Sequence, residues 1–416
     1  MRIALVSDCY HPTKNGVTGI VALLADGLRR RGHEVTLIVP AFPRTAHRAA
    51  RGPAHDTSPA PEVEVAAFPR PDVEVASLPL FPSIGLRVAP SSAGRLAGIL
   101  QREGIEIVHT HTEGTLGRAA RNAALRLGIP TVHTLHTLYG HYLHYLPPAR
   151  IAPRISRRAL HRVLGRFLAP YDQLVAPSAR AFEHLETVAP TTRRVLVPNG
   201  VSSTGALPAP HLTEGLRRRL GLDDASRIIL YVGRVAEEKR SAALFDAFAA
   251  RLRSAGDVTA VLVGGGGQLA TLRARARQLA LDDRIRLPGY LDHAEVLALY
   301  RLASVFVTTS LSENHPLTLL EASAAGLPLA VRSDARLGDV AGDGLNAVVA
   351  GQDQELIDRA IALLDDRDRL ARLGCGSRRT AARFSGIAHV QRTEQVYRRV
   401  ALDAHGNASA PARTAR

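Results

Sequence analysis

The chain has 416 residues, 46% of them hydrophobic, which is enough for two globular domains with full cores. Its two cysteines, Cys9 and Cys375, exclude a disulfide framework and lack metal-ligand spacing. No apolar run approaches the roughly 18 residues of a membrane span. The first strand begins at once and leaves no room for a signal peptide, so we expect a cytoplasmic protein.

The formal net charge of +15 raises the question of a nucleic-acid partner. Arginines supply almost all of this charge and are spread over helical faces, aromatic residues make up only 4% of the chain, and no groove-reading motif is present. We therefore expect no nucleic acid as a partner. An anionic membrane surface is the physical alternative for the charge.

The amino-terminal segment predicts a Rossmann-like opening. A strand over Arg2–Asp8 is followed by a loop, a helix from about Val17 to Arg31 and a second strand ending at Val39. The G-x-G-x-x-G motif is missing, so a dinucleotide is not implied. Gly16 either lets the backbone approach a ligand closely or is a simple turn glycine.

The middle of the first half predicts more strands and a histidine-rich run. Residues 41–62 have no periodicity and predict a surface loop, and strands are expected over Ile105–His109 and Pro130–Leu135. The run after the second strand contains His136, His141 and His144 interleaved with tyrosines. The run contains no acid or cysteine beside these histidines, which argues against a metal site. Aromatic side chains with polar tips suit a cleft mouth or a membrane interface instead.

A basic amphipathic helix is predicted within Pro147–Arg166, beginning after Pro153. Its arginines either form a membrane-surface face or are the ordinary solvated face of a helix in an arginine-rich chain. Strands at 174–175 and 195–197 then close the first domain, and the Ser-, Gly- and Pro-containing segment 202–210 predicts a linker.

The second half restarts the strand–loop–helix order at Ile228. The strand ends at Gly233, and the loop after it carries Arg234 and Lys239, cations that can clamp a pyrophosphate. Further on, Gly264–Gly267 end another strand, and they either let a nucleotide lie against the backbone or form a flexible turn.

The stretch Ser304–Val331 organises this second half. It predicts a strand over Ser304–Ser310, then a polar loop, and a final strand over Leu327–Val331. Between the loop and the final strand we expect a helix that begins at Pro316, continues over Leu317–Ala325 and stops at Gly326. Glu313 lies in the loop. Glu321 is expected on the inward face of the helix, either as a structural acid satisfied by a basic side chain or as a functional one.

These residues resemble a known family. The run Leu320-Glu321-Ala322-x-Ala324-x-Gly326-x-Pro328, with E-x7-E ending at Glu321, is similar to the motif of family 4 glycosyltransferases of the GT-B fold. The G-R-x4-K pattern of Gly233, Arg234 and Lys239 resembles the donor phosphate site of that family, and Ile285–Tyr290 resembles its nucleobase segment. The chain departs from the family at Asn314, His315 and Pro316, and at Arg240 where a glycine is usual.

A narrower resemblance lies at the amino terminus. The pattern Asp8-x-Tyr10-x-Pro12-x2-Asn15-Gly16-Val17 and the histidine- and tyrosine-rich run are similar to the subgroup that transfers glucosyl or mannosyl groups onto lipids such as diacylglycerol. The resemblance implies an α/β protein with two Rossmann-like domains facing each other across a cleft. The first domain would span 1–200 and the second 201–386, with the final helix 387–402 crossing back and a disordered tail over 403–416.

The reaction implied by the resemblance is transfer of a sugar, with retention of anomeric configuration, from a nucleotide diphosphate sugar, UDP-sugar favoured. Arg234 and Lys239 would neutralise the leaving diphosphate, Glu313 would bind sugar hydroxyls, Glu321 the ribose, and His136 would line the acceptor side. No metal and no prosthetic group is expected. The donor side is assigned Gly16, Gly233, Arg234, Lys239, Gly264, Pro288, Glu313, Leu317, Thr318 and Glu321, and the acceptor side Asp8, Asn15, Val17, His111, Glu113, Tyr139 and Tyr142.

The acceptor is expected to be a membrane lipid, with the protein peripheral at the inner face of the membrane. A soluble acceptor, such as an aminocyclitol or another intermediate of a bacterial natural product, is the alternative. A non-catalytic nucleotide-sugar binding protein is the third hypothesis, but it predicts damage at Arg234, Lys239 or Glu313, and these are intact.

Overall fold

A computed structural model describes residues 1–13, 15–42, 69–81, 86–139, 153–201, 210–223, 226–254, 256–311 and 313–407. The chain divides into two compact units: residues 1–58, 67–200 and 386–416 form unit 1, and residues 59–66 and 201–385 form unit 2. Each unit is built around a parallel sheet.

Unit 1 contains a parallel sheet of seven strands within the described residues. Its order is β3-β2-β1-β6-β7-β8-β9, and β4 and β5 form a separate antiparallel pair. The strands are β1 Arg2–Val6, β2 Glu34–Pro40, β3 Val73–Val75, β4 Leu78–Phe81, β5 Leu86–Val88, β6 Ile107–Thr110, β7 Thr131–Thr134, β8 Gln173–Ala176 and β9 Arg194–Leu196. The helices are α1 Gly16–Arg30, α2 Ala93–Arg102, α3 Thr115–Leu127, α4 Pro153–Leu168 and α5 Ala179–Val188.

Unit 2 has a parallel sheet of order β12-β11-β10-β13-β14-β15 in the part of the chain that is described. Its strands are β10 Arg227–Val232, β11 Val258–Val263, β12 Ile285–Gly289, β13 Val305–Thr308, β14 Leu329–Arg332 and β15 Ala347–Ala350. Its helices are α6 Pro210–Leu220, α7 Ser241–Arg251, α8 Leu269–Gln278, α9 His293–Leu302, α10 Leu317–Ala324, α11 Asp353–Leu364 and α12 Arg367–Arg383, while α13 Gly386–Asn407 returns to unit 1.

Both sheets are covered on both faces, because alternate residues of each central strand enter different cores. In β10, Ile229 and Tyr231 lie in one buried cluster, and Ile228 and Leu230 lie in another. In β1, Ile3 and Leu5 are separated from Ala4 and Val6 in the same way. This alternation explains why the strands are apolar throughout.

The strand orders show where a ligand edge is expected. In unit 1 the chain passes from β1 outward and returns at β6, and in unit 2 it passes from β10 outward and returns at β13. The crevice at the carboxyl ends of such neighbouring strands is the usual binding place in an open α/β sheet. Apart from Pro288, which lies in β12, most of the predicted site residues that are described follow these four strands or their direct neighbours.

Two predicted boundaries are wrong. Pro316 is not the first helical residue of α10 but its N-cap, with extended backbone at ψ 107°, and Leu317 begins the helix. Helix α13 continues through Asn407, so residues 403–407 are helical and not part of a disordered tail; residues 408–416 lie outside the described residues. Gly326 follows α10 with φ +85°, as its predicted role as a helix stop requires.

The last helix is part of the core of unit 1. Helix α13 packs on α1, where a Cβ added at Gly27 would lie 2.4 Å from Cγ2 of Val390. Its Tyr397 hydroxyl lies 2.6 Å from Nδ1 of His109, which is at the centre of the sheet on β6. Removing α13 would therefore leave His109 without the Tyr397 hydroxyl and would expose an apolar face of α1.

Candidate functional site

In unit 2, the loops after β10 and β13 meet because these two strands are neighbours in the sheet. Nζ of Lys239 donates to Oε1 of Glu313 at 2.8 Å, and each side chain is only 16% exposed. Two residues that were predicted to bind opposite parts of a donor, the diphosphate and the sugar, are thus in direct contact. The pair keeps a cation and a carboxylate together at the ligand edge of the sheet.

Arg234 is held by its own loop. Its Nη1 donates to Oε1 of Glu238 at 3.0 Å, and Glu238 is almost fully buried. The carbonyl of Arg234 accepts hydrogen bonds from the hydroxyls of Tyr231 and Ser241, at 2.9 and 3.2 Å. These hydrogen bonds fix the backbone of the loop and hold the Arg234 guanidinium in a defined position.

The predicted glycines pack this loop against its neighbour. Gly264 has φ +134°, and a Cβ there would lie 1.9 Å from the carbonyl oxygen of Gly233. A Cβ at Gly266 would lie 2.3 Å from the carbonyl oxygen of Val235. The close approach that these two glycines permit is therefore one of backbone to backbone.

Glu321 is bound by a hydroxyl and not by the predicted basic side chain. The Tyr300 hydroxyl, from α9, donates to Oε2 of Glu321 at 3.0 Å. Burial raises the pKa of the Glu321 carboxyl, and the nearby His293 and the Tyr300 hydrogen bond oppose that shift. Leu317 and Thr318 are half-buried in the first turn of the same helix.

Pro288 lies at the end of β12, next to a prominent aromatic ring. Tyr290 is 65% exposed, and its ring covers Gly265, where an added Cβ would lie 2.1 Å from Cε2.

In unit 1, the Asp8 carboxylate accepts hydrogen bonds at the start of α3. It accepts from the backbone N–H groups of Leu116 at 2.7 Å and Gly117 at 3.1 Å, and from the Thr112 hydroxyl at 2.7 Å. Burial raises the pKa of Asp8, and these hydrogen bonds counteract it. A carboxylate at a helix start is a structural arrangement, and it accounts for these hydrogen bonds of the predicted acceptor-side residue.

Asn15 and its neighbours form the start of α1. The Asn15 side chain is the N-cap and accepts from the backbone N–H of Thr18 at 2.9 Å. Gly16, the first helical residue, is exposed, and Val17 is half-buried against the apolar core of unit 1.

Glu113 is the acceptor of a directed hydrogen-bond chain. His133 lies 3.1 Å from Oε1 through Nε2, and the Tyr139 hydroxyl donates to Oε2. Since a carboxylate only accepts, Nε2 of His133 donates to Glu113, and Nδ1 of His133 lies 2.7 Å from the Thr110 hydroxyl. The Tyr171 hydroxyl, 2.8 Å from Thr110, completes the chain.

A second group of rings contains His136. Nδ1 of His111 lies 3.1 Å from Nε2 of His136, and the two rings stack with centroids 5.3 Å apart. Burial lowers the pKa of His136 to about 3 and lowers that of His111 as well, with further contributions from neighbouring histidines. Both rings are therefore neutral near pH 7.

Some predicted residues lie outside the described part of the chain. These are Tyr142, His141 and His144 of the histidine-rich run, most of the loop 41–62 and the linker 202–209. Within the described residues there is no group of three metal-ligating side chains.

Several residues of the site were missed. Tyr300 and Glu238 bind the predicted residues Glu321 and Arg234, and His133 binds the predicted Glu113. Tyr397 binds His109, whose ring lies against His111. Tyr300 and Tyr397 lie within amphipathic helices, where an aromatic residue signals a core position and nothing more. The crowding of His109, His111 and His133 at two strand ends is a pattern that the sequence does show.

Helix α4 has the predicted amphipathic form. Arg158, Arg162 and Arg166 are exposed at four-residue spacing, whereas Leu164 and Phe167 are buried. Over the described residues, no helix combines the length and apolar character that crossing a membrane requires.

Comparison with known proteins identifies two families along the chain. Residues 14–204 match the model described as Glycosyltransferase Family 4, and residues 213–380 match Glycosyl transferases group 1. A D-inositol 3-phosphate glycosyltransferase of Xylanimonas cellulosilytica is 32% identical, covering 92% of this chain and 93% of that protein. An Alpha-monoglucosyldiacylglycerol synthase of Acholeplasma laidlawii is 24% identical over 95% and 96%. A 2-deoxystreptamine glucosyltransferase of Streptomyces kanamyceticus is 28% identical over 68% and 74%.

Solved structures resemble the whole chain. HepE of Anabaena in complex with UDP has a TM-score of 0.70 at 18% identity, covering 96% of this chain and 100% of that one. Sucrose-phosphate synthase of Thermosynechococcus elongatus also has a TM-score of 0.70, at 19% identity over 97% and 99%. These likenesses concern the fold alone.

Proposed function

The chain belongs to the family 4 glycosyltransferases of the GT-B fold, and from this premise we propose that it moves a sugar from a UDP-sugar to a hydroxyl of a membrane lipid with retention of anomeric configuration. That the protein is a glycosyltransferase acting on a nucleotide sugar follows from both family matches and the relatives. We propose the nucleotide base of the donor, the stereochemical course of the transfer and the class of acceptor. UDP is favoured because HepE is described in complex with it.

The contact between Lys239 and Glu313 carries the proposal. Lys239 is the cation that meets the leaving diphosphate, and Glu313 accepts hydrogen bonds from sugar hydroxyls. Without substrate the two groups satisfy each other at 2.8 Å, so neither is left uncompensated in a half-buried place. When the donor enters, each exchanges its partner for a substrate group, and Arg234 adds a second positive charge on the same loop.

Glu321 and Tyr300 fit the ribose end of the donor. Tyr300 holds Oε2, which leaves Oε1 to accept from ribose hydroxyls. Two cations at the diphosphate take the electrostatic role that Mg²⁺ has in other transfers of phosphate-bound groups, so the proposal includes no metal and no bound cofactor.

A lipid acceptor is supported from two sides. The Acholeplasma relative is named for diacylglycerol as its acceptor. In this chain, helix α4 exposes Arg158, Arg162 and Arg166 together with Val163, a combination that suits the surface of an anionic bilayer. The protein would then act peripherally, on the inner face of the membrane.

A soluble acceptor is the second candidate. The relatives named for inositol phosphate and 2-deoxystreptamine favour it. The carboxylate of Glu113, with His133 and Tyr139, is a polar group of the kind that binds a polyhydroxylated or amine-bearing ring. In this candidate the donor half of the site is unchanged, and only the acceptor differs.

The test is product analysis over a panel of donors and acceptors. UDP-glucose, UDP-galactose, GDP-mannose and dTDP-glucose are each incubated with diacylglycerol in anionic vesicles, with inositol phosphate and with 2-deoxystreptamine, and products are identified by mass spectrometry. The proposal expects a glycosyl-diacylglycerol formed from a UDP-sugar. Products formed only on the soluble acceptors would replace it by the second candidate, and hydrolysis alone would refute both.

A further inference from the structure

A cavity of about 200 Å³ lies between helix α8 and strand β12 of unit 2. Strand β12 is an edge of the sheet, since in the described part of the chain it pairs only with β11. The cavity has an apolar floor, because Ala276, Ile285 and Leu287 belong to the buried core of the unit. No residue predicted to bind the donor or the acceptor is among the described residues that line it.

Three arginines form the charged wall of this cavity, and backbone carbonyls fix two of them. Nε of Arg273, on α8, donates to the carbonyl oxygen of Leu287 at 2.8 Å. Nη1 and Nη2 of Arg286, on β12, donate to the carbonyl oxygens of Asp282 and Gly221 at 2.8 and 3.1 Å. A carbonyl orients a guanidinium but has no formal charge, so these contacts position both cations without neutralising them.

The third arginine, Arg277, lies four residues after Arg273 on the same face of α8 and is exposed. Over the described residues, none of the three arginines forms an ion pair. Asp282 is the only acid among the described lining residues, so three positive charges face one negative charge and the net charge is +2. The partial charge of about −0.5 at the carboxyl end of a helix leaves the cavity clearly positive.

Other arginines of unit 2 show how the chain neutralises a guanidinium. Arg275, which lies on α8 between the two lining arginines of that helix, pairs with Asp246 at 2.5 Å. Arg227, at the start of β10, pairs with two carboxylates, those of Asp257 and Asp365. The three arginines of the cavity line one small space instead, and an anion that enters this space relieves their mutual repulsion.

We propose that the cavity between α8 and β12 is an anion site that binds a phosphate group, either of free phosphate or of the headgroup of an anionic phospholipid. Planar guanidinium groups match phosphate oxygens bidentately, and two of them are already held in place here. The apolar floor limits the water around the ligand, which strengthens each charged contact. The site shares no residue with those proposed for sugar transfer, so the inference does not rest on that reaction.

The first experiment is equilibrium dialysis with radiolabelled inorganic phosphate at about 0.1 M ionic strength, where charges beyond roughly 10 Å are screened. Arg277→Gln and Arg273→Gln should each raise the Kd about tenfold, since each removes a charged donor. Arg275→Gln is the matched control, because it removes the same charge from the same helix, and its Kd should stay within about twofold. Lys239→Ala should also retain this binding, which distinguishes the cavity from the loop proposed to bind the donor diphosphate.

Thermal unfolding checks the fold of each variant. The side chain of Arg277 has no hydrogen-bond partner within the described residues, so Arg277→Gln should unfold at the temperature of the unaltered protein. This variant keeps the proposal testable even where Arg273→Gln, which loses the bond to the Leu287 carbonyl, is less stable.

Sedimentation with vesicles distinguishes the two sources of the phosphate group. For a lipid headgroup, the double variant Arg273→Gln/Arg277→Gln should bind vesicles of phosphatidylcholine and phosphatidylglycerol about tenfold more weakly than the unaltered protein. The double variant Arg251→Gln/Arg275→Gln, which removes two ion-paired arginines of unit 2, should bind them normally. For free phosphate, vesicle binding should be unchanged and only the dialysis should detect a loss. Binding of phosphate and of vesicles that is the same in both double variants would overturn the proposal.

Discussion

Replacing Lys239 by alanine tests the donor half of the site most sharply. The substitution removes the Nζ that lies 2.8 Å from Oε1 of Glu313 and leaves that carboxylate, only 16% exposed, without its cation. Two effects follow: a loss of stability in the free protein, and a loss of stabilisation where the diphosphate leaves.

The magnitudes of the two effects are different. A partly exposed ion pair contributes about 1 kcal/mol to folding, and removing one partner of a more buried pair costs more, so we expect unfolding to become easier by roughly 1–2 kcal/mol. A charge that interacts with the transition state in a water-poor site is worth more, since losing one such group lowers kcat by roughly 10²–10³. Turnover should therefore fall far more than stability.

The assay combines steady-state kinetics with urea denaturation for Lys239→Ala, Glu313→Gln and the double variant. In the double variant the stability loss should be smaller than the sum of the two single losses, because no uncompensated carboxylate remains. Its kcat should stay as low as that of Lys239→Ala or fall further. Recovery of kcat in the double variant would show that the pair is structural.

The control is Arg275→Ala. Arg275 also belongs to unit 2 and pairs with a carboxylate, Asp246, at 2.5 Å, but both side chains are exposed. We expect its kcat within twofold of the unaltered protein and its stability within about 0.5 kcal/mol. Near-normal turnover of Lys239→Ala would refute the assignment of the leaving-group cation.

Three further predictions concern pH, backbone space and metal ions. Burial lowers the pKa of His136 to about 3 and that of His389 to about 4, so the unfolded chain binds more protons than the folded chain below pH 6.5. Each histidine should therefore lower the free energy of unfolding by roughly 2 kcal/mol at pH 5. A free energy of unfolding that stays constant from pH 7 to 5 in urea titrations would contradict this. Gly264→Ala should lower both stability and kcat, because its Cβ would lie 1.9 Å from the Gly233 oxygen, whereas Gly267→Ala, with nothing within 4 Å, should lower neither. Turnover should be unchanged by EDTA, and an absolute requirement for added Mg²⁺ would contradict the role given to the two cations.

Strand and loop positions in unit 2 could be predicted because their signals are local. The predicted strand ends at Gly233 and Ser310 lie within two residues of the observed ends of β10 and β13, and Gly326 has the positive φ that ends α10. The family motifs added roles for Lys239 and Glu313. Their mutual contact was not predictable, because it depends on β10 and β13 being neighbours, which is a property of the sheet order.

Partners that come from distant elements were also missed. Glu321 was expected to need a basic partner, and the structure supplies the Tyr300 hydroxyl from the preceding helix. The pairing of His111 with His136 requires the register of β6 and β7, which no local pattern contains. Asp8 shows the converse case, since a residue that we predicted on the acceptor side accepts hydrogen bonds from the backbone at the start of α3.

The anomeric configuration of the product tests directly whether the protein transfers a sugar from a UDP-sugar with retention. Proton NMR can follow UDP-glucose, whose sugar is α-linked, in the presence of the protein and vesicles containing diacylglycerol. We predict that an α-linked glucosyl lipid and UDP appear together in equal amounts. A β-linked product, or UDP-glucose that binds but is never consumed with any acceptor, would contradict it.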